Sequence, residues 1–61
     1  MKIKIHKSSD DQFYFTIVAS NGEPLATSET YTTKENCKHT AALIKNDAMM
    51  AEVIDLNGDV L

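Results

Sequence analysis

The stretch Phe13-Tyr14-Phe15-Thr16-Ile17-Val18-Ala19-Ser20-Asn21-Gly22-Glu23-Pro24-Leu25-Ala26-Thr27-Ser28-Glu29-Thr30-Tyr31 decides the fold of this chain. Its first part alternates. Phe13, Phe15, Ile17 and Ala19 fall on one face of a strand over residues 12–20, and Tyr14, Thr16, Val18 and Ser20 fall on the other. The second face is only weakly polar, so it is expected to be partly covered. Asn21-Gly22 predicts a tight hairpin of type I′, in which both central residues take positive φ. Pro24 cannot donate to a ladder and therefore suits the start of the next strand. That third strand is predicted over residues 25–30.

Working outward, residues 2–7 read Lys-Ile-Lys-Ile-His-Lys. Ile3 and Ile5 share one face, and Lys2, Lys4 and His6 share the other. This is a half-buried strand whose lysines suit a sheet edge, where charge discourages unwanted pairing. Ser8-Ser9-Asp10-Asp11 is a turn cluster, because short polar side chains bond their own backbone. On the other side, Thr32-Thr33-Lys34-Glu35 offers a capping box with Thr32 as N-cap. A helix is predicted from there to Asn46 or Asp47. Cys37, Ala41, Ile44 and Ala48 form its narrow apolar stripe. Residues 51–56 alternate again and predict a fourth strand. Asn57-Gly58 predicts a second turn before Asp59-Val60-Leu61. The reading is one α+β domain over residues 1–61, an antiparallel sheet of order β-β-β-α-β covered on one face by one helix.

Size bounds how such a domain is held together. A chain of 61 residues buries only roughly 60% of its unfolded surface. Domains this small add disulfides, a metal or a partner chain. Cys37 is the only cysteine, which excludes a disulfide within one chain. No metal-ligand spacing occurs, and no cofactor is expected. Association with a second copy is the remaining route, and a two-fold dimer is its commonest form. Tyr14 and Val18, on the second sheet face, and Met49 and Met50 are the candidate interface residues.

Charge and hydropathy limit the partners. Nine acidic residues stand against six basic ones, a formal net charge of -3. The basic residues gather only at Lys2, Lys4, His6 and Lys7. Non-specific phosphate binding is disfavoured by that balance. A nucleic-acid site on the N-terminal strip, with Tyr14 or Phe13 stacking, is the alternative reading. No apolar run approaches the ~20 residues that span a bilayer, and the N-terminus lacks the apolar stretch of a signal peptide. An unpaired thiol fits the reducing cytoplasm.

Several motifs in one order give a further indication. Asp10-Asp11-Gln12-Phe13-Tyr14-Phe15, Asn21-Gly22-Glu23, Ser28-Glu29-Thr30-Tyr31 and Lys45-Asn46-Asp47-Ala48 together resemble the YegP-like family of small bacterial proteins of unestablished function. The resemblance covers roughly residues 10–48. It implies an α+β unit, sometimes found in tandem, so that a single-unit chain would dimerise to imitate the tandem form. It brings no catalytic residues. Thr40 and Ala41 depart from the family pattern, where glycine and a larger aliphatic are expected; this loosens the contact between helix and sheet.

Candidate sites carry two readings each. Ser28, Glu29 and Tyr31 place two hydroxyls and a carboxylate at a strand–helix junction, where binding groups often sit. Structurally, the same residues would satisfy backbone amides and staple the helix start. Cys37 could act as a nucleophile with His39 or His6 as base, yet residues two apart on a helix point different ways. A free cysteine on an apolar stripe is usually a small hydrophobe. His6 and His39 are expected to face solvent. Asp55-Leu56-Asn57-Gly58-Asp59 has oxygen ligands at alternate positions, but its glycine comes too early for a calcium loop. The function expected is a small non-enzymatic binding or accessory module acting as a homodimer.

Overall fold

A computed structural model describes residues 1–57 of the chain. Three strands, β1 (Lys2–Lys7), β2 (Phe13–Val18) and β3 (Pro24–Thr27), are followed by one helix, α1 (Lys34–Asp47), and a 3-10 turn at Ala48–Met50. The sheet is antiparallel, in the order β1-β2-β3. The fold is α+β, as the alternation and helical spacing indicate. Ile3 pairs with Ile17 and Ile5 with Phe15, so the apolar residues of β1 and β2 share a face. The helix covers that face. Phe15, Cys37 and Ala41 form the buried centre, with Ile3, Ile5, Phe13, Ile17, Tyr31 and Ile44 packed around them.

The connections differ from expectation in instructive ways. Gly22 takes φ +88°, while Asn21 does not reach positive φ, so the turn is not type I′. Instead the Gly22 amide donates to the Ala19 carbonyl at 2.9 Å, and the Ala19 amide donates to the Glu23 carbonyl at 2.9 Å. This is a three-residue hairpin loop that needs one left-handed residue, which glycine supplies at low cost. The Asn21 side chain accepts from the Glu23 amide at 3.1 Å. The register between β2 and β3 then slips, and Val18 lies opposite Pro24 rather than Leu25. Leu25 is the extra residue of this bulge.

The helix starts one residue later than the capping box suggests. Thr33, at φ -124° and ψ 147°, is the N-cap, and its hydroxyl accepts from the Asn36 amide. Thr33 wins because helical backbone begins only at Lys34, which leaves Thr32 outside the turn. At the other end the Ala48 amide still donates to the Ile44 carbonyl before the chain tightens into the 3-10 turn.

The fourth strand predicted over residues 51–56 does not join this sheet. The chain leaves Ala51 in extended backbone and forms only an isolated β-bridge at Ile54, apart from the ladders of the three strands. Alternation marks an extended segment but does not say what it pairs with. Gly58 and the stub Asp59-Val60-Leu61 lie outside the described residues. Among those described, no helix is long and apolar enough to cross a membrane.

Candidate functional site

Three surfaces collect the residues of interest. The first is the corner where β3 gives way to the helix. The ladder between β2 and β3 ends at Thr27, not at residue 30, because Ser28 substitutes its side chain for backbone. The Ser28 hydroxyl accepts from the Phe15 amide at 2.9 Å and donates to the Glu29 carbonyl at 2.8 Å. The Ser28 amide donates to the Phe15 carbonyl. Pairing resumes at Tyr31, which exchanges both backbone hydrogen bonds with Phe13 at 2.6 and 2.8 Å. The Tyr31 ring stacks on Phe15 with centroids 6.3 Å apart. Ser28 thus has its donor and acceptor roles filled by backbone, Tyr31 is half-buried against the core, and Glu29 stands exposed. The corner holds β2 to the start of α1.

The second surface is the sheet face away from the helix. His6 lies opposite Tyr14, Lys4 opposite Thr16 and Lys2 opposite Val18. The His6 and Tyr14 rings stack at 4.8 Å with an interplanar angle of 14°. His6 Nε2 lies 3.0 Å from Thr16 Oγ1. His6 is therefore half-buried rather than free in solvent, because its strand partner offers a ring to cover it. Nothing in the residues themselves set the pairing register, which is what brings His6 to Tyr14. Val18, a candidate interface residue on a face expected to be partly covered, is 7% exposed. It belongs to the central strand, between Lys2 and Pro24, and its neighbours cover it. Lys7 and Phe13 fall on the opposite face. Lys7 pairs with Asp11 at 3.2 Å, and Phe13 packs on the core.

The third surface is an apolar groove of about 370 Å³ between α1 and β1, lined chiefly by Met1, Ile3, Ala41, Ala42, Ile44 and Ala48. Small residues on the helix leave this space open, in keeping with the loosened contact expected at Ala41. Beyond the groove, Met49 and Met50 are 95% and 83% exposed, and Leu56 is 99% exposed.

Cys37 is fully buried, and burial pushes its thiol above the usual range. His39 is exposed on the helix. The Ser8 hydroxyl donates to the Asp10 carboxylate and holds it below the usual range, while burial acts weakly the other way. Ser8 also accepts from the Gln12 amide at 3.2 Å, which closes the turn.

The sequence profile of the family described as "domain of unknown function (DUF1508)" matches residues 8–55. That span includes β2, β3, the Ser28–Tyr31 corner and the whole helix, and it begins just after β1. The chain belongs to the DUF1508 family. Among related proteins, the UPF0339 protein YegP of Escherichia coli strain K12 is 39% identical over 49 residues, which are 80% of this chain and 44% of that protein. A UPF0339 protein of Neisseria meningitidis serogroup B is 35% identical over 46 residues, 75% of this chain and 82% of the relative. A UPF0339 protein of Treponema denticola is 31% identical over 55 residues, 90% of this chain and 95% of the relative. This DUF1508 chain spans less than half the length of the Escherichia coli protein that it matches.

Proposed function

We propose that this DUF1508 chain is a small non-enzymatic binding module that works as a homodimer in the cytoplasm. One observation carries the reading. Among the described residues only Phe15, Val18, Cys37 and Ala41 are buried apolar residues, whereas Met1, Leu25, Leu43, Met49, Met50, Val53, Ile54 and Leu56 are all at least half exposed. Two of the four buried residues are small. A core of that size falls short of what a domain of this length needs, and a second chain is the usual remedy. The buried, unpaired Cys37 thiol supports a reducing compartment. The test is molar mass by light scattering during size exclusion, across a dilution series. A mass of two chains that persists on dilution is expected. A one-chain mass at every concentration would overturn the homodimer.

A second reading has its own support. Lys2, Lys4, His6, Tyr14 and Thr16 share the sheet face that the helix leaves uncovered. Cations beside an aromatic ring are what single-stranded nucleic acids use, through phosphate contacts and base stacking. Tyr14, not Phe13, is the stacking residue in this arrangement, and Lys7 takes no part. The net charge of -3 opposes it. Fluorescence anisotropy with a labelled single-stranded oligonucleotide at low salt decides. Binding that weakens steeply with salt and is lost in Tyr14→Ala supports it, and no binding at low salt sinks it.

A further inference from the structure

The sheet face that the helix leaves uncovered is organised in rows across the strands. Strand register sets three of them: Lys2 beside Val18, Lys4 beside Thr16 and Thr27, and His6 beside Tyr14. Successive rows lie two residues apart along β1, or about 7 Å. The face is also graded from one edge to the other. β1 supplies its cations, and neither β2 (Phe-Tyr-Phe-Thr-Ile-Val) nor β3 (Pro-Leu-Ala-Thr) contains a basic residue. Lys2 and Lys4 are exposed. The ion pair that a β1 lysine does form, Lys7 with Asp11, lies on the opposite face. At the far row, His6 and Tyr14 are stacked nearly parallel, so the pair offers its outer ring surfaces to a third flat ring.

We propose that a single-stranded nucleic acid lies lengthwise on this face, about three nucleotides to a sheet, with its phosphates on Lys2 and Lys4 and its bases turned inward over β2. The proposal rests on the nucleic-acid reading above and gives it a track, a footprint and an orientation. Three observations select this occupant. Spacing fits: Lys2 and Lys4 stand about 7 Å apart along the strand, which is the reach of one nucleotide in an extended chain, so neighbouring phosphates each meet one ammonium. Grading fits: with cations along β1 alone, phosphates gather at that edge and the bases fall over β2. Surface fits: one base continues the His6–Tyr14 stack, and the next lies over Thr16 and Thr27, where the exposed Thr27 hydroxyl can donate to a base edge or accept from it. A duplex does not fit, because its base faces are spent on one another. The short footprint also suits a chain of net charge -3, since residues 1–7 hold three lysines and no acid.

The test uses the full chain. ¹⁵N–¹H spectra are recorded at low salt during titration with single-stranded oligothymidylates of increasing length. Affinity is expected to rise with each nucleotide up to about three and then to level off. Amide shifts should gather at residues 2–6, 14–16 and 27, and the helix amides should stay in place. On a long oligothymidylate, Lys2→Gln and Lys4→Gln should each make the fall of log affinity with log salt shallower by about 0.7. Lys7→Gln, on the opposite face, should leave it unchanged. Equal affinity for a duplex of the same sequence overturns the inward-facing bases. Shifts that gather on the helix, or a salt slope that drops as much in Lys7→Gln, overturn the track and leave the nucleic-acid reading standing. No binding at low salt overturns both.

Discussion

The Ser28 hydroxyl stands 2.9 Å from the Phe15 amide and replaces the strand partner that the amide would otherwise need. Phe15 is the largest residue of the buried centre. One hydroxyl thus links the core strand to the segment that leads into the helix.

Removing that hydroxyl leaves a poorly accessible amide without a partner. Ser28→Ala is expected to destabilise the fold by about 1–3 kcal/mol. Ser28→Thr, which keeps the acceptor, should cost less. Urea denaturation of the three proteins checks this. Equal stability of Ser28→Ala and the parent would show that water replaces the hydroxyl.

The two threonines before the helix should behave differently. Thr33 caps the Asn36 amide at 3.2 Å, so Thr33→Ala should lower stability by about 1 kcal/mol. Thr32→Ala should be nearly neutral. Thermal unfolding separates them, and the reverse ranking would return the cap to Thr32.

Gly22 carries a purely conformational demand. A Cβ built there meets nothing within 4 Å, yet φ is +88°. Gly22→Ala should therefore cost about 1–2 kcal/mol through backbone strain alone. Asparagine at that position should cost less, because it tolerates left-handed backbone. Chemical denaturation measures both. Identical costs would argue against a backbone origin.

Cys37 should react only when the fold opens. Its thiol is fully buried and pushed above the usual range by that burial. Alkylation by iodoacetamide is expected to be slow under native conditions and fast in urea. The linkage sign follows from the raised value. Stability from this group is complete below the thiol's unfolded pKa and declines as pH rises from there through the folded value. Urea midpoints at increasing alkaline pH should fall less for Cys37→Ala than for the parent.

Much of the architecture is visible in residue spacing, since Ile3, Ile5, Phe13, Phe15 and Ile17 alternate and Cys37, Ala41 and Ile44 follow a helical period. Those patterns depend on one face being buried, and the helix buries it. Details that depend on pairing were not visible. The bulge at Leu25 comes from a register slip that no residue type announces, and it sets Val18 opposite Pro24. The His6–Tyr14 stack likewise needs β1 and β2 aligned. The Ser28 corner was legible as chemistry, with backbone satisfaction among its readings. Residues 51–56 alternate as a strand should, but alternation says nothing about which chain supplies the neighbour.

The order of the strands in space is also their order along the chain. Each pairing therefore closes only a short loop, and short loops close in well under a microsecond. Topologies rich in contacts between sequence neighbours fold faster than those built from distant pairings. At dilute concentrations a chain of this kind finishes its own sheet long before it meets another. Diffusion, rather than the search within the chain, then sets the pace at which any assembly built from it matures.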